Sequence, residues 1–168
     1  MSEAVLLDTS FFIRLQNREE KLHHHAKGYY RYFLDRDYTL IISTISIAEY
    51  CVIGERTDLP LKQLKVLPFN IDHAEQAGHF ANILFRHKNS LKKKGLPRAI
   101  IPNDAKLLAQ AHMETNVVYY VTADKRSDNL VKILHKVMNI DFQFIDIHTP
   151  WNEQFGELFN EYSTSLKI

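Results

Sequence analysis

The sequence has little of what secreted and membrane proteins depend on. Its 168 residues include a single cysteine, Cys51, which excludes an intramolecular disulfide framework. No apolar run approaches the roughly 20 residues needed to span a bilayer. The first residues also lack the basic start and apolar core of a signal peptide. We therefore expect no membrane insertion and a cytoplasmic location.

Acidic residues are absent from one long stretch of the chain. Between Glu75 and Asp104 there is none, although the net charge of the whole chain is only +1. Six basic residues lie in this stretch, namely Arg86, Lys88, Lys92, Lys93, Lys94 and Arg98. A solvated helix end explains such a run as well as a nucleic-acid contact does.

The apolar residues indicate one α/β domain. A hydrophobic content of 45% and a charged content of 24% are typical of a globular domain with a proper core. Amphipathic segments alternate with short apolar, β-prone runs at 4–7, 39–43, 117–121 and 142–145. This alternation predicts a three-layer α/β/α fold with a central parallel sheet over residues 1–148. Residues 149–168 are expected to form a C-terminal helical tail packed on the same domain.

Capping and breaking residues predict where the helices begin and end. A first helix is expected directly after Asp8. Asp72 is the expected N-cap of a long helix at 73–93, and a weak extended piece precedes it at 66–69. Further helices are predicted at 23–35, from Thr44 or Ser46 to about Gly54, at 61–66, from Asn103 to Asn116 and after Ser127 or Asp128.

Four carboxylates stand where a charge is hard to accommodate. Asp8 directly follows the first strand and Asp124 closely follows the strand at 117–121. Both are therefore expected at the carboxyl ends of strands, where open α/β sheets bind ligands. Asp104 opens a helix. Glu49 is surrounded by apolar residues on a short helix, where a lone buried carboxylate is costly without a cation or a hydrogen-bond partner.

These acids have two explanations. Asp8, Asp104 and Asp124, taken singly, could be helix N-caps worth about 1 kcal/mol each. Glu49 cannot be one, and if all four acids converge, their repulsion would raise their pKa values unless a multivalent cation neutralises them. An all-oxygen, carboxylate-rich set of ligands suits Mg²⁺ or Mn²⁺.

Zinc chemistry and cysteine chemistry are both disfavoured. No two of the nine histidines stand four residues apart, and the cluster His23, His24 and His25 would point in three directions on a helix. Cys51 lies in an apolar segment without a spaced histidine, so it is not expected to be a nucleophile.

Four segments together resemble the motifs of the PIN domain family. They are LLDTSFF around Asp8, SIAEY around Glu49, NDAKLLAQAH around Asp104 and VVYYVTADKRSD around Asp124. Their order and spacing agree over about residues 4–146, and the most similar branch is the toxin-type, VapC-like ribonucleases of toxin–antitoxin pairs. The resemblance implies a PIN-like fold and an endoribonuclease that uses Mg²⁺ or Mn²⁺ to hydrolyse RNA phosphodiester bonds.

The resemblance also implies a role for each acid. Asp8 and Asp104 would be the principal metal ligands. Glu49 would complete the cluster directly or through water, and Asp124 would make a second-metal or water-bridged contact. Asp128 competes for the role of Asp124, because many toxins of the family carry a second Asp near this position.

Supporting residues and partners follow from the same resemblance. Ser10 and Thr122 would assist the acids through their hydroxyl groups. Contacts to the phosphates of the flanking RNA would come from Lys92, Lys93, Lys94 and Arg98. The implied partners are an RNA substrate, an antitoxin protein and a second copy of the chain in a homodimer.

Several alternatives remain open at this point. An inactive PIN-like scaffold that binds RNA or protein, or an RNA-processing nuclease without an antitoxin, would carry the same motifs. A haloacid-type hydrolase is disfavoured, since Ser10 stands where its second Asp would be needed. Tyr29, Tyr30 and Phe33 could line an antitoxin groove or belong to the core. The aromatic residues of the tail could form a core contact or a dimer surface.

Overall fold

Five parallel strands form the centre of the molecule. The computed structural model of the chain describes residues 2–87 and 101–156. The strands are β1 (Ala4–Leu7), β2 (Thr39–Ser43), β3 (Lys65–Leu67), β4 (Val117–Thr122) and β5 (Gln143–Asp146). They lie in the order β3-β2-β1-β4-β5, and every neighbouring pair is parallel. All five carboxyl ends therefore meet at one edge, and the predicted parallel sheet is confirmed.

The position of strand β1 at the centre of the sheet explains why its sequence is continuously apolar. All four of its residues are fully buried. Ala4 and Leu6 face one layer of helices, whereas Val5 and Leu7 face the other. A strand covered on both sides needs an apolar residue at every position, not at every second one. This two-sided burial confirms the predicted three-layer α/β/α fold.

Helices cover both faces of the sheet. The side of Val5 and Leu7 carries α1 (Thr9–Gln16), α2 (His23–Asp35), α3 (Thr44–Tyr50) and the short α7 (Trp151–Gln154). The other side carries α4 (Ile71–Arg86), α5 (Ile101–Met113) and α6 (Lys125–Val137). Two single 3₁₀ turns, Arg56–Asp58 and Leu61–Gln63, connect α3 to β3. Within the described residues, no helix combines the length and apolarity that a membrane span requires.

Two predicted N-caps are wrong because a neighbouring side chain makes the capping bond. Asn70, not Asp72, caps α4: its side-chain oxygen accepts from the His73 amide at 2.8 Å. The His73 ring accepts in return from the Asn70 amide at 3.3 Å, which completes a capping box. Asp124, rather than Ser127 or Asp128, caps α6.

Other predicted boundaries also shift. The helix α3 ends at Tyr50 instead of near Gly54. The helix expected at 61–66 is only the 3₁₀ turn Leu61–Gln63, after which the chain extends into β3. Pairing of β3 with β2 makes this segment a strand, and such pairing depends on residues distant in sequence. The helix α5 begins at Ile101, so Asp104 lies within its first turn and does not cap it.

The beginning of the C-terminal tail packs on α2. The ring of Phe155 stacks on that of Tyr32 with centroids 4.1 Å apart, and Trp151 lies 5.4 Å from the same ring. Gly28 leaves room for the indole of Trp151, which a side chain at this position would contact. The rest of the predicted tail, residues 157–168, lies outside the described residues. So do the basic residues Lys92, Lys93, Lys94 and Arg98.

Candidate active site

Asp8 is both a helix cap and a buried member of the candidate site. It follows β1 and is 6% exposed. Its Oδ1 accepts from the Phe11 amide at 2.9 Å and from Ser10 Oγ at 2.7 Å, and its Oδ2 accepts from Thr122 Oγ1 at 2.5 Å. Burial raises the pKa of Asp8 to about 6 even though these hydrogen bonds favour the carboxylate. Asp8 thus makes the capping bond that the sequence offered as one explanation, and the same carboxylate lies at the carboxyl edge of the sheet.

The hydroxyl groups of Ser10 and Thr122 tie the end of β4 to the end of β1. Ser10 Oγ accepts from the Ala123 amide at 2.8 Å, and Thr122 Oγ1 accepts from the Asp124 amide at 2.9 Å. Each hydroxyl has one hydrogen, and the bonds to Asp8 use both of them. The two hydroxyls therefore orient Asp8 and hold the backbone of Asp124 close to it.

Asp104 carries the least satisfied polar atom of the site. Its Oδ2 is buried and has no hydrogen-bond partner among the described residues. Burial raises the pKa of Asp104 to about 7, and the charges of Asp124, Asp8 and Glu49 act in the same direction. The charge of Arg126 opposes them. Near neutral pH, Asp104 therefore holds its proton for a substantial fraction of the time.

Glu49 reaches the site from α3. It is half-buried, and its Oε2 accepts a hydrogen bond from Thr9 Oγ1. The expectation of apolar burial around it is wrong, because the nearby Val52 and Ile53 are 81% and 68% exposed. The short helix α3 lies at the rim and buries only Ser46 and Tyr50. We did not predict Thr9; its only signal was its position between Asp8 and Ser10.

The carboxylate of Asp124 is held by Arg126, two residues further along in the first turn of α6. Arg126 Nε lies 2.9 Å from Asp124 Oδ1, and Arg126 Nη2 lies 2.7 Å from Oδ2. Burial disfavours the carboxylate, but the hydrogen bonds and charge of Arg126 outweigh it and lower the pKa of Asp124. Arg126 was also absent from the predicted site. The basic pair Lys125 and Arg126 after Asp124 was its only signal.

Asp128 belongs to a different surface. Its Oδ2 lies 2.5 Å from Lys132 Nζ, one turn further along α6. It lines a cleft with Asp146 and Thr149, away from the buried acids. The charges that act on Asp104 include Asp124 but not Asp128. The structure therefore brings Asp124, and not its competitor, to the other three acids.

The four acids share one region at the carboxyl edge of the sheet. Tyr120 lies beneath them on β4 and is almost fully buried. Burial, and after it the charges of Asp8, Asp104, Glu49 and Asp124, raise the pKa of Tyr120 well above its usual range. All four acids therefore act on one buried group, which is the convergence that the sequence left open.

The donor atoms of the site suit a divalent cation. All of them are oxygens, and the Oδ2 of Asp104 has no partner among the described residues. The raised pKa values of Asp8 and Asp104 show that both carboxylates favour a positive charge beside them. In the described part of the chain, no three Asp, Glu, His or Cys side chains stand close enough to hold a metal as they are. Asp124 is engaged by Arg126 and Glu49 by Thr9, so both would have to turn towards an incoming ion.

Other candidate residues of the sequence have structural roles. Ring nitrogens of His23 and His25 hydrogen-bond the carbonyl oxygens of Arg14 and Ile147, at 3.1 and 2.7 Å. These contacts fix the histidines on separate partners. Cys51 is exposed at the end of α3 and is not within an apolar helix as expected.

The three aromatic residues of α2 divide between the core and the surface. Tyr29 and Phe33 are fully buried, so they belong to the core. Tyr30 reaches the surface and donates to Gln63 Oε1 at 2.8 Å. It lines an open groove of about 850 Å³, which we call the α1–α2 groove. The groove is formed by Leu15, Gln16, Arg18, His23, Lys27, Tyr30, Arg31, Leu34 and Pro60.

The fold and the site together define a class of protein. A parallel sheet between two layers of helices, with acids converging at its carboxyl edge, is the arrangement expected of a PIN-like domain. The profile of the PIN domain family matches residues 5–133, which is most of the chain. The protein therefore belongs to the PIN domain family.

Solved structures agree with this assignment at the level of the fold. VapC20 of Mycobacterium tuberculosis, a sarcin–ricin loop cleaving toxin, is 20% identical with a TM-score of 0.53; the match covers 75% of this chain and 94% of VapC20. A DNA-bound VapBC from Salmonella typhimurium matches at 18% identity and a TM-score of 0.52, over 86% of this chain and 98% of that one. No curated protein matches the chain by sequence.

Proposed function

We propose that this protein is a metal-dependent endoribonuclease, the toxin of a toxin–antitoxin pair, whose active site is formed by Asp8, Glu49, Asp104 and Asp124. The observation that carries the proposal is the buried Oδ2 of Asp104, which has no partner while other carboxylates repel it. A buried acceptor left bare in this way destabilises the fold, and a cation would offset the cost. Membership of the PIN family supports the same conclusion.

Each acid has a distinct part in this proposal. Asp8 and Asp104 would hold Mg²⁺ or Mn²⁺ as principal ligands, Glu49 would complete the set, and Asp124 would serve a second ion or a bridging water. When bound, such an ion supplies charge neutralisation and Lewis acidity for phosphodiester hydrolysis. Thr122 keeps the carboxylate of Asp8 in one orientation, so that the oxygens are positioned before a cation arrives.

Protons compete with the cation for these carboxylates. The pKa values of Asp8 and Asp104 lie at about 6 and about 7, so both groups are partly protonated in weakly acidic solution. A carboxylate must lose its proton before it binds a metal ion. Metal binding and cleavage are therefore expected to increase between pH 6 and pH 8.

The substrate class we infer is RNA. VapC20, which shares the fold, is a toxin that cleaves the sarcin–ricin loop. The exposed side chain of Arg126 borders the acids and offers positive charge to a phosphate backbone. Lys92, Lys93, Lys94 and Arg98 are proposed as further phosphate contacts.

The partner we infer is an antitoxin protein. The Salmonella neighbour is a VapBC structure, in which a VapC-type chain occurs together with VapB. The α1–α2 groove offers such a partner the half-buried side chains of Leu15 and Leu34, beside the basic residues Lys27 and Arg31. Binding of a co-expressed antitoxin should be lost in the double variant Lys27→Glu/Arg31→Glu. Retained binding would place the partner elsewhere.

The experiment that tests the nuclease is RNA cleavage by the purified protein. Cleavage should require Mn²⁺ or Mg²⁺, stop in EDTA, and fall by at least about 100-fold in Asp8→Asn and Asp104→Asn. Asp128→Asn is the matched control, because Asp128 is an acid close in sequence to Asp124 that lies on a different surface and pairs with Lys132. It should cleave within about two-fold of wild type.

Each other result points to a specific alternative. Cleavage that persists in both Asp8→Asn and Asp104→Asn would contradict the proposed site. RNA binding that is insensitive to metal and occurs without cleavage would favour an inactive scaffold. Cleavage that no antitoxin inhibits would favour an RNA-processing nuclease.

A further inference from the structure

We propose that Arg126 is an internal competitor of the divalent cation for Asp124, so that a cation can use this carboxylate only after the arginine fork has opened. The inference rests on the proposed metal site, and it adds a residue that controls how that site fills. Arg126 would act through Asp124, as a residue that positions and occupies it.

The geometry of the pair supports competition. Arg126 Nε lies 2.9 Å from Asp124 Oδ1 and 3.1 Å from Oδ2, while Nη2 lies 2.7 Å from Oδ2. The backbone amide of Arg126 also donates to Oδ1 at 2.9 Å. Both carboxylate oxygens are therefore engaged. A guanidinium that binds two oxygens side by side is the strongest neutralising contact that a protein side chain offers a carboxylate.

The contact originates in the local chain geometry of the α6 N-terminus. Asp124 is the N-cap and Arg126 is the second residue of the helix, so one turn of backbone holds the two side chains together. An arginine at this position folds back over the cap. The fork therefore forms within the first turn of α6 and needs no ligand.

The pair is exposed enough to open. The side chain of Arg126 is 50% exposed and that of Asp124 is 23% exposed. Release of the guanidinium into solvent would break no packing of the core. Partly exposed ion pairs contribute little to stability, so their loss is worth about a five-fold change in an equilibrium constant. Binding of a divalent cation to the freed carboxylate can offset this loss.

Arg126 also acts beyond its own partner. Its charge lowers the pKa of Asp104, against the repulsion of Asp124 and Asp8. In the described structure the guanidinium therefore occupies one side of the acid cluster as a counter-cation. A metal ion arriving there would meet a site already partly neutralised, and it would have to displace that charge.

Mn²⁺ binding to the whole protein tests this inference directly. Calorimetric or spin-resonance titration at pH 8 should show Arg126→Ala binding Mn²⁺ about five-fold more tightly than wild type, or binding one ion more. Lys125→Ala is the matched control: it removes the same charge one residue earlier, from an exposed side chain. It should stay within about two-fold of wild type, because salt screens charges that make no direct contact.

A double-mutant cycle separates action through Asp124 from a general charge effect. If the fork is the main mechanism, Arg126→Ala should change Mn²⁺ affinity much more in wild type than in the Asp124→Asn background, where only the charge effect of Arg126 on Asp104 remains. Arg126→Lys keeps the charge and loses the fork, so it should bind with intermediate affinity. It also serves as the test variant if Arg126→Ala does not fold.

Three results would overturn the inference. One is Mn²⁺ affinity in Arg126→Ala that is equal to or weaker than that of wild type. Another is an effect of equal size in Lys125→Ala, and the third is an effect of Arg126→Ala that is undiminished in the Asp124→Asn background. If wild type binds Mn²⁺ and Asp104→Asn does not, such results refute only the role of Arg126 and leave the proposed metal site standing. If wild type binds no Mn²⁺, the proposed nuclease site fails together with the inference.

Discussion

Replacing Asp104 by asparagine should stabilise the metal-free protein at high pH. The pKa of Asp104 rises from 3.8 to about 7 on folding, mainly because of burial. Each unit corresponds to about 1.36 kcal/mol, so ionising this group in the folded state costs on the order of 2 to 4 kcal/mol. Asn has the same shape and no charge, so the variant avoids that cost.

The pH range of the effect follows from the direction of the shift. A raised folded-state pKa means that stability is full below pH 4, where both states are protonated. As the pH rises towards 7, the unfolded chain releases its proton more readily and wild type loses stability. Asp104→Asn has no such loss. The two proteins should therefore be equally stable near pH 4 and differ most at pH 8.

Thermal unfolding in EDTA at pH 4, 6 and 8 measures this difference. For a chain of 168 residues we expect the variant to melt about 5 to 10 °C above wild type at pH 8. Asp128→Asn, which removes a surface acid, is the control and should show no gain. An Asp104→Asn variant no more stable than wild type at pH 8, or a gain that does not depend on pH, would refute the reasoning. Saturating Mn²⁺ should reverse the order, because only wild type binds it.

Four further variants test the structure by urea unfolding. Thr122→Val removes the hydroxyl that donates to Asp8, so it should cost about 1 to 3 kcal/mol; a loss below about 0.5 kcal/mol would contradict a buried, satisfied network. Asn70→Ala should cost about 1 kcal/mol and Asp72→Ala much less, and equal losses would mean that the cap is misassigned. Gly28→Ala should destabilise the fold and alter the fluorescence of the single tryptophan, which an unchanged spectrum would contradict.

The sheet could be predicted from the sequence because its strands are marked locally. A parallel strand covered on both faces must be apolar in its buried part, and 4–7 and the central residues 40–42 of β2 satisfy that condition without reference to the rest of the chain. The places of Asp8 and Asp124 followed from the same runs, since a residue directly after a parallel strand lies at the carboxyl edge.

The errors arose where two local signals compete. Asn70 and Asp72 are both good caps, and only the backbone decides which side chain reaches a free amide. The apolar residues around Glu49 suggested a buried helix, but Val52 and Ile53 follow the end of α3 and are exposed, because nothing in the described fold covers that side. Periodicity indicates that a surface is apolar, and it does not indicate what packs against it.

The sequence by itself determined the order of strands and helices along the chain and marked four acids as candidates for one site. Burial pattern and chain direction are local properties, so a single sequence is enough to predict them. Only the tertiary structure decided how each acid is satisfied: Asp8 by two hydroxyls, Glu49 by Thr9, Asp124 by Arg126, and Asp104 Oδ2 by no described partner. Those distinctions depend on distances of a few ångströms between elements far apart in sequence, which set the pKa of each acid.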